Sequence, residues 1–464
     1  MLAIEINSAG HASLSAGAAP ETVTVVPAVA VLEPPVVLTG HAAARRARLA
    51  PLFVSRSHWE RPDTTRLPRA LPGCATHGEV AWQQLSALWP DAAMSGVLAV
   101  SPAATPADIG HLAGLFTAAA RPLLVLVDAA VAATAQRNGS ARALYLEVDA
   151  GRAVLAELWR EHTAAGWQIR RGRVDLAPTA GATAIDEAVA RALAAYFLRS
   201  ARFDPLTLAA SEQELYDALP AVYAALAAAL PVTVVMGDNA NRRECTVGLV
   251  ELEQACAGLV QQILGLVQSA RQAGETLTVH VGPRAAQLPG LLAALSALTD
   301  LSVDALPWSA AAVGARTAGY GLSDVAVAAD GATTGVRWLT ALPCTMPLSL
   351  VTASVPSAEV PTHVVWQGRA WPLGVTPLVL GRAPGPGGLL LEGPLAGMSR
   401  LHCQLRREDR EAVVEDLSTY GTWLNGERIR RRARLRAGDR LRLGLPGVEL
   451  LLIAVETAPP PVAD

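Results

Sequence analysis

The first 340 residues alternate short apolar runs with longer segments rich in alanine and leucine. Residues 96–100 and 123–127 are apolar runs of strand length, and residues 106–120 between them have the composition of a helix. Apolar runs are typical of strands buried in a sheet, and alanine and leucine are strong helix formers. The alternation predicts a layered α/β region. Further strands are predicted at 144–148, 232–236 and 276–281, and further helices at 128–137, 185–197, 211–229, 246–273 and 288–297.

The pattern changes after residue 340. Residues 341–372 contain five prolines, which disrupt helices, so we expect a linker there with at most stray strands. Residues 373–456 show short β-type runs separated by turn residues, which predicts an all-β module of about eighty residues. The proline-rich tail at 457–464 is expected to be disordered. The predicted chain is therefore multidomain, with an α/β region followed by an all-β sandwich.

Composition narrows the functional classes. Of the 464 residues, 51% are apolar and 17% are charged, with a net charge of −3, which excludes a disordered or coiled-coil chain. All 38 basic residues are arginine, so chemistries that need a lysine are excluded, among them the P-loop phosphate clamp and Schiff bases. Such a bias is typical of a GC-rich, bacterial coding sequence and does not itself indicate a function.

The cysteines, the histidines and the N-terminal residues predict a soluble, cytoplasmic protein. Five cysteines and nine histidines form no cluster with metal-ligand spacing and no disulfide framework, so we expect reduced thiols and no metal site. The first residues have neither the basic segment nor the apolar core of a signal peptide. No uncharged apolar stretch has the length of a membrane span.

Four short motifs stand in order in the C-terminal module. They are Gly381-Arg382, Ser399-Arg400-Leu401-His402, the run Asp-Leu-Ser-Thr-Tyr-Gly-Thr-Trp-Leu-Asn-Gly at 416–426, and the run Gly-Asp-x-Leu-x-Leu-Gly at 438–444. Together they resemble the forkhead-associated (FHA) domain, a β-sandwich that binds phosphothreonine peptides. Because the resemblance covers about residues 374–456 and rests on four ordered motifs, chance is a poor explanation for it.

The residue types in these motifs suit a phosphate dianion. Arginine supplies a fork of N–H donors, and serine and threonine hydroxyls add short hydrogen bonds. Charge-assisted hydrogen bonds lose much of their value if the donors must first be ordered. Loops between sandwich strands bring such side chains to one edge. The motifs therefore predict an ordered cationic edge on the all-β module.

The resemblance implies a role for each of these residues. Arg382 and Ser399 would contact the phosphate, and Arg400 and Thr419 would flank it. Taken alone, Arg382 is also compatible with a surface residue beside a turn, and Ser399 with a loop cap. The structural residues that the resemblance implies are Gly381, His402 as a buried brace of the recognition loops, Gly421, and the hairpin turn Asn425-Gly426.

The chain departs from the family at Tyr420. The family often has asparagine there, where the amide clamps the peptide backbone. A tyrosine hydroxyl cannot make the paired donor and acceptor contact of an amide. We therefore expect the phosphate anchor to be intact and the preference at flanking peptide positions to differ.

The arginine-rich run at 430–436 does not predict nucleic-acid binding. Leu435, Leu441 and Leu443 alternate with arginines at period two, as on a strand with one solvent-facing side. Residues 374–456 contain 13 Arg against 10 Asp and Glu, a net charge of +3, which is too weak for a nucleic-acid footprint.

Segments of the first 330 residues have the order and spacing of a nucleotide-binding domain. Residues 4–10 read as a strand and turn, residues 148–154 as a second turn, and residues 279–292 as a later strand and loop. These segments, with 25–31, 36–43 and 312–316, resemble the nucleotide-binding domain of heat-shock chaperones, within the actin and sugar-kinase superfamily. The resemblance implies a two-lobed α/β domain over residues 1–340 that cradles ATP and a hydrated metal.

The two loops that correspond to the family's phosphate-binding loops lack several of the family's residues. The family has Asp and Gly where this chain has Glu5 and Asn7, and the second loop keeps only Gly151 of its glycines. Only glycine lets backbone approach phosphate oxygens closely, and the chaperones' lysine is absent. We therefore expect a pseudo-ATPase, with residual binding of ATP and Mg²⁺ left open. The candidate pocket residues are Glu5, Asn7, Ser8, Asp149, Gly151 and Gly282.

Two residues of the second loop remain open to more than one interpretation. Arg152 could pair with a phosphate, although a surface arginine in a hairpin is the simpler interpretation. Asp149 could hold a metal, although an aspartate at the end of a strand is more often a turn former.

Three functions remain open from the sequence. The first is a signalling scaffold whose FHA module docks onto a phosphothreonine made by a cytosolic Ser/Thr kinase. The second is an active chaperone-like ATPase that its FHA module directs to targets. The third is an actin-like assembling domain that the β module recruits. The damaged loops favour the first function, and the lack of a peptide-clamping domain after residue 340 argues against chaperone activity.

Overall fold

The computed structural model divides the chain into two compact units. The N-terminal unit comprises residues 1–266 and 277–349, and the C-terminal unit comprises residues 267–276 and 350–464. The residues that the structure describes are 1–15, 19, 22–71, 73–91, 93–118, 121–237, 241–271, 275–326, 336–345, 360–366, 369–391, 397–408, 411–425, 427–444 and 447–454. The tail at 457–464, predicted to be disordered, lies outside the described residues.

Strands occur along the whole length of the N-terminal unit. In chain order they are β1 (Leu2–Ile6), β2 (Gly10–Leu14), β3 (Thr24–Pro27), β4 (Ala30–Glu33), β5 (Val36–Thr39), β6 (Val54–Ser55), β7 (Arg66–Leu71), β8 (Cys74–Thr76), β9 (Gly96–Val100), β10 (Leu123–Asp128), β11 (Arg142–Val148), β12 (Arg152–Thr163), β13 (Gly166–Pro178), β14 (Val232–Met236), β15 (Arg243–Val247), β16 (Leu277–Val281), β17 (Leu301–Ala305), β18 (Arg337–Leu339) and β19 (Ala341–Pro343).

The helices alternate with these strands. They are α1 (Gly40–Ala44), α2 (His77–Leu88), α3 (Pro106–Ala118), α4 (Ala129–Thr134), α5 (Ala182–Ala201), α6 (Ala209–Ala227), α7 (Leu249–Ala270), α8 (Pro283–Ala286), α9 (Leu291–Ser296) and α10 (Ala310–Ala326), with a 3-10 turn at Pro51–Phe53. The predicted alternation of strands and helices is confirmed as an α/β region, although its sheets are mixed rather than parallel throughout.

Local sequence explains where two of the helices begin. The hydroxyl of Thr76 accepts from the N–H of Glu79, and the Glu79 carboxylate accepts from the N–H of Thr76, which is a capping box at the start of α2. Asp128 starts α4 by accepting from the N–H groups of Ala130 and Val131. Both caps satisfy N–H groups that have no partner inside the helix.

Two large sheets share one connectivity. In the first, β1, β2 and β3 form an antiparallel meander, and β9, β10 and β18 add in parallel beside β1. In the second, β11, β12 and β13 form the meander, and β16 and β17 add in parallel beside β11, while β19 pairs with β13. The N-terminal unit therefore repeats one arrangement of three antiparallel and two parallel strands.

Helices α4 and α10 fill the core between the two sheets. Helix α10 packs on β1, β9 and β10, and helix α4 packs on α10 and on strands of the second sheet. The two helices come close because Gly314 in α10 faces the carbonyl of Ala132, where a Cβ atom would collide. Buried alanines at this contact, such as Ala130 and Ala312, leave little side-chain volume between the helix axes.

The C-terminal unit contains two β-sheets. Its strands are β20 (His363–Trp366), β21 (Arg369–Pro372), β22 (Leu378–Gly381), β23 (Leu389–Leu390), β24 (Cys403–Glu408), β25 (Glu411–Asp416), β26 (Thr422–Leu424), β27 (Glu427–Arg428), β28 (Arg432–Leu435), β29 (Arg440–Leu443) and β30 (Val448–Ile453). One sheet has the order β21-β20-β30-β29-β26-β27 and the other has the order β23-β22-β24-β25-β28. A single apolar cluster, which includes Leu380, Leu405, Val414, Leu441 and Leu452, draws on both sheets.

The predicted linker at 341–372 differs from the structure at both ends. Strand β19 pairs with β13, so the segment begins as part of the second N-terminal sheet. Strands β20 and β21 form a hairpin, and β20 pairs with β30, so the segment ends inside the all-β unit. The prolines misled the prediction because Pro343 and Pro372 end edge strands, where a missing N–H costs little.

The period-two interpretation of the arginine-rich strands is confirmed. Ala433 and Leu435 on β28, and Leu441 and Leu443 on β29, are buried, while the arginines between them are exposed or half-buried. These arginines therefore belong to the solvent-facing side of a sandwich. None of the helices within the described ranges combines the length and the apolar character that crossing a membrane requires.

Candidate functional site

Three loop segments of the C-terminal unit meet at one edge of the sandwich. Arg382 follows β22, Ser399 and Arg400 precede β24, and residues 417–421 join β25 to β26. The backbone N–H of Arg382 donates to the carbonyl of Ser399 at 3.2 Å, and that of Ala383 donates to the carbonyl of Arg400 at 3.0 Å. The first two segments are therefore fixed side by side through their backbones.

Gly381 permits this close approach. A Cβ atom at Gly381 would collide with the carbonyl of Arg400 and would lie 3.0 Å from the carbonyl oxygen of Ser399. Only glycine avoids the collision, so the Gly-Arg pair has a physical basis. Gly381 lets the two segments come together, and Arg382, the next residue, is exposed at the edge.

The side chain of Ser399 holds the third segment in place. Its Oγ accepts a hydrogen bond from the backbone N–H of Thr419 at 3.1 Å. Because a hydroxyl that accepts through a lone pair still carries its own hydrogen, Ser399 retains one donor. The predicted phosphate contacts Arg382 and Ser399, and the predicted flanking residues Arg400 and Thr419, therefore belong to segments that are hydrogen-bonded to one another.

His402 lies beneath these segments and bridges two of them. Its side chain is buried, its Nδ1 accepts from the N–H of Ser399 at 3.1 Å, and its Nε2 donates to the carbonyl of Gly421 at 2.9 Å. This pattern requires the neutral imidazole with its hydrogen on Nε2. Burial lowers the pKa of His402, against the opposing effects of the Gly421 carbonyl and of Asp416.

The third segment is a rigid turn whose polar residues the sequence interpretation did not assign. Asp416 Oδ1 accepts from the hydroxyl of Thr422 at 2.8 Å and from the N–H of Ser418 at 3.1 Å. Ser418 Oγ accepts from the N–H of Gly421 at 2.6 Å, and Gly421 has a φ of 99°, which favours glycine. The Asp-x-Ser spacing is an Asx-turn signal that could have identified this brace.

Four side chains at this edge are exposed to solvent. Arg382, Arg400, Thr419 and Tyr420 are all exposed, with Tyr420 at 57%. Within the described part of the chain, neither guanidinium makes a hydrogen bond or an ion pair. Two exposed arginines and the Ser399 hydroxyl therefore belong to adjoining segments of this edge, and these are the donor types that suit a phosphate dianion.

Asn425 belongs to a turn on a different strand pair from these loops. It has a φ of 52°, its Nδ2 donates to Asp439 Oδ1 at 2.8 Å, and its Oδ1 accepts from the N–H of Arg440 at 2.8 Å. Asn425 is therefore fixed by its own contacts within the β26–β29 sheet. Its predicted turn partner Gly426 lies outside the described residues.

In the N-terminal unit, the predicted nucleotide-pocket residues also come together. The Asn7 amide donates to the carbonyl of Val148 at 3.1 Å, and the Ser8 hydroxyl accepts from the N–H of Ala150 at 3.0 Å. The β1–β2 turn and the β11–β12 turn are thus hydrogen-bonded directly to each other. The carbonyl of Gly151 accepts from the N–H of Thr179 at 3.0 Å.

The backbone donors of these turns already have internal partners. The N–H of Ala9 donates to the Asn7 side chain at 2.8 Å, and the N–H of Gly10 donates to the Asn7 carbonyl at 3.0 Å. Asp149 is buried, with its Oδ2 at 3.3 Å from both Arg152 Nε and Ser101 Oγ, and burial raises its pKa. Arg152 therefore contacts its own hairpin.

A buried charge cluster lies between the two turns. Arg284 donates to Glu5 Oε1 at 2.7 Å and to the carbonyl of Gly10 at 2.7 Å, and its Nη1 lies 3.5 Å from Glu147 Oε2. Burial raises the pKa of Glu147 to about 7, against the lowering effect of Arg284. A Cβ atom at Gly282 would collide with the Glu147 carboxylate, so glycine leaves room for that buried side chain.

The sequence interpretation did not assign Arg284 or Glu147 to the pocket. Glu5, in contrast, was assigned and lies in the cluster. The sequence signal for Glu147 is an acidic residue near the end of the apolar strand at 144–148. The signal for Arg284 is its position directly after the Gly282-Pro283 pair of the predicted loop.

A cavity of about 660 Å³ lies beside this cluster in the N-terminal unit. Both turns reach it, through Ser8 and Ala150, and aromatic side chains such as Tyr216 and Trp308 form part of its wall. Among the described residues, no group of three or more His, Cys, Asp or Glu side chains is placed to hold a metal ion.

The family model of the FHA domain matches residues 378–444. No curated protein sequence matches the chain. The N-terminal region has no family assignment, so its resemblance to chaperone ATPases stays a prediction. The resemblance drawn from the four C-terminal motifs is confirmed, and residues 378–444 are an FHA domain, the class of module that binds phosphothreonine peptides.

Proposed function

We propose that this protein is a phosphothreonine-dependent scaffold, in which the FHA domain docks the N-terminal unit onto a partner phosphorylated by a Ser/Thr kinase of the same compartment. The observation that carries the proposal is the link from Ser399 Oγ to the N–H of Thr419 at 3.1 Å, beside two exposed arginines without partners in the described residues. This link holds the Ser399 hydroxyl and the Thr419 segment in place before the ligand arrives, which lowers the ordering entropy that opposes binding.

In this proposal, the phosphate is bound by Arg382, Arg400 and Ser399, each with its own role. The two guanidinium groups neutralise the dianion and supply N–H forks, and the Ser399 hydroxyl donates one short hydrogen bond. Thr419 closes the pocket from the third segment. Tyr420 replaces the amide clamp, so its exposed ring and hydroxyl contact the peptide without pairing with the peptide backbone.

We propose further that the N-terminal unit has the two-lobed architecture of actin and chaperone ATPases but does not turn over ATP. The repeated strand order of its two large sheets supports this architecture. The internal hydrogen bonds of Ala9, Gly10 and Ala150 support the lack of turnover, because these N–H groups would otherwise face the phosphates. The Arg284 cluster also places two carboxylates beside the same turns.

Calorimetric titration of the full-length protein tests the phosphopeptide function. The ligand is a degenerate library centred on phosphothreonine, and the control is the same library with unphosphorylated threonine. The proposal expects saturable binding of the phosphorylated library alone. Equal heats from the two libraries would reject it.

A further inference from the structure

The cavity of the N-terminal unit has one wall from residues 25–48 and another from helices α5 and α6. Hydrogen bonds join the two walls: the N–H of Arg48 donates to Gln213 Oε1 at 2.8 Å, and Gln213 Nε2 donates to the carbonyl of Ala44 at 2.9 Å. Arg48 Nη1 also lies 3.0 Å from Glu212 Oε1. Contacts of the chain itself therefore hold the cavity in shape, and its volume of about 660 Å³ is within the range of small-molecule sites.

The interior of this cavity is largely apolar. Val29, Ile185 and Leu219 are buried where they line it, and Tyr216 and Trp308 add aromatic rings. Apolar and aromatic walls gain free energy when they cover an apolar part of a ligand. The interior therefore suits a ligand with an aromatic or aliphatic body.

Arginine donors of the same cavity are unused. Arg45 and Arg56 line the cavity and are exposed, so they lie where it opens to solvent. Neither guanidinium makes a hydrogen bond or an ion pair with another described residue. Arg48 Cζ lies 3.6 Å from the centroid of the Tyr216 ring, and Arg48 Nε is buried without a hydrogen-bond partner in the described part of the chain. The cavity therefore has N–H groups of three arginines available to a ligand.

Arg56 lies in an electrostatic environment that favours an anion. Although the residue is exposed, the surrounding walls partly desolvate its guanidinium and lower its pKa, and the positive charge of Arg48 lowers it further. The carboxylate of Asp186 opposes this effect without reversing it. A negative group beside Arg56 would offset the repulsion between the two cations.

The two acidic residues of the wall already have hydrogen-bond donors. Asp186 Oδ1 accepts from the hydroxyl of Tyr223 at 2.6 Å, and Asp217 Oδ1 accepts from Gln213 Nε2 at 2.8 Å. Neither carboxylate forms an ion pair with the arginines at the opening within the described ranges. These arginines therefore remain available to a negative group that is not part of the chain.

The charge of the lining limits how negative that group can be. Among the lining arginines, only Arg45 and Arg56 lack an ion pair in the described residues. A triphosphate carries more negative charge than two arginines neutralise, and it would share the cavity with two acids. A carboxylate carries a single charge, which one guanidinium binds through two parallel hydrogen bonds. The charge balance therefore favours a carboxylate over a nucleotide.

We propose that this cavity binds a small monocarboxylic acid, whose carboxylate is held by Arg56 beside Arg48 and whose aromatic or aliphatic body packs against Tyr216 and Trp308. The inference goes beyond the proposed phosphopeptide function, because no residue of the FHA domain lines the cavity. It also differs from a nucleotide site, because a carboxylate ligand does not need the N–H groups of the β1–β2 and β11–β12 turns.

The test uses the full-length protein and a panel of four acids: benzoate, cinnamate, indole-3-acetate and octanoate. Each acid is compared with its neutral amide, which has nearly the same shape without the charge. Saturation-transfer NMR ranks the panel, and calorimetry then measures the Kd of the best acid and of its amide. We expect the acid to bind at least about tenfold more tightly than the amide, the effect of one charge-assisted hydrogen bond.

Three variants localise the binding. Arg56→Gln removes the cation and should bring the acid and the amide to within about twofold of each other. Ala44→Phe places a ring in the cavity and should weaken both ligands alike. The matched control Arg191→Gln removes an exposed arginine of α5 that pairs with Glu187 and does not line the cavity, so it should retain the full preference. Thermal unfolding verifies that each variant is folded.

Four outcomes would overturn the inference. They are failure of every acid of the panel to bind, equal binding of each acid and its amide, an acid preference that survives in Arg56→Gln, and displacement of the acid by Mg²⁺ and ATP at equal concentration. The last outcome would assign the cavity to a nucleotide. Binding of a phosphothreonine peptide is measured separately on the same protein, so failure of the carboxylate site leaves the proposed phosphopeptide function standing.

Discussion

Ser399 accepts a hydrogen bond through its hydroxyl from the backbone N–H of Thr419, across twenty residues of chain. This bond joins the loop before β24 to the loop before β26. His402 adds a second link between the same loops, from the N–H of Ser399 to the carbonyl of Gly421. Recognition and stability of the edge therefore depend on the same few polar atoms.

Ser399→Ala should affect stability and binding by different amounts. It removes the acceptor of the Thr419 N–H, which costs about 1 kcal/mol of unfolding free energy. It also removes a phosphate donor, so affinity for a phosphothreonine peptide should fall by at least about tenfold. Ser399→Thr keeps the hydroxyl and should bind nearly as wild type. An alanine variant with unchanged affinity in anisotropy titrations would exclude Ser399 from the phosphate site.

Binding should weaken with acid because of His402. Burial lowers the pKa of His402, so the folded state binds its proton less readily than the unfolded state does. The stabilisation is thus present above the unfolded pKa of about 6.5 and is lost as the pH falls towards the lower, folded value. Protonated Nδ1 can no longer accept from the N–H of Ser399.

The measurement is peptide affinity at several values between about pH 7.5 and pH 5, for wild type and His402→Gln. The peptide phosphate itself titrates near a pKa of about 6, so only the difference between the two slopes reports on the histidine. We expect the wild-type slope to be steeper. Parallel slopes would show that His402 stays neutral throughout this range.

Arg284 should contribute strongly to the stability of the N-terminal unit. Arg284→Met leaves Glu5 and Glu147 buried without a cation, which should cost about 3–5 kcal/mol. Arg191→Met removes an exposed helix pair with Glu187 and should cost less than about 1 kcal/mol. Chemical denaturation measures both. Equal losses in the two variants would contradict the structural role of the buried cluster.

The same cluster predicts a pH dependence of the opposite sign to that of His402. Burial raises the pKa of Glu147 to about 7, above its unfolded value. Its contribution to stability is thus complete below the unfolded pKa of about 4.5 and is lost as the pH rises through about 7. Glu147→Gln should therefore lose less stability than wild type between pH 5 and pH 8. Identical losses measured by denaturation would contradict this assignment.

ATP hydrolysis should be absent. The turn N–H groups of Ala9, Gly10 and Ala150 have internal acceptors, so they cannot stabilise a transferring phosphoryl group. Steady-state phosphate release with Mg²⁺ and ATP should stay at the level of buffer, and Asp149→Ala should change nothing. Turnover that disappears in Asp149→Ala would overturn the pseudo-ATPase proposal.

Sequence and structure agree best where short motifs fix backbone geometry. Gly381, Gly421 and the Ser399-x-x-His402 spacing each correspond to a specific steric or hydrogen-bond requirement, so the FHA domain could be found from them. The strand predicted at 232–236 is observed with the same first and last residues, because its short apolar run lies between Pro231 and Gly237.

Features that depend on distant partners could not be predicted. The long hairpin of β12 and β13 carries charged side chains such as Arg160 and Glu157, whose partners are Ser140 and Arg142 elsewhere in the chain. Because of these charged residues, the sequence of the hairpin lacks the continuous apolar run that predicts a buried strand. The repeated strand order of the two large sheets is likewise a property of pairing between remote segments, which no local pattern encodes.

The most direct test of the central claim is the affinity of one phosphothreonine peptide for wild type, Arg382→Ala and Arg434→Ala, measured by anisotropy on full-length protein. Arg382 is exposed at the edge without a partner among the described residues, whereas Arg434 is paired with Glu411 on the strands of the same domain. We predict at least a tenfold loss, about 1.4 kcal/mol, for Arg382→Ala alone. Equal affinities of all three proteins, or equal binding of the unphosphorylated peptide, would contradict a phosphate site at this edge.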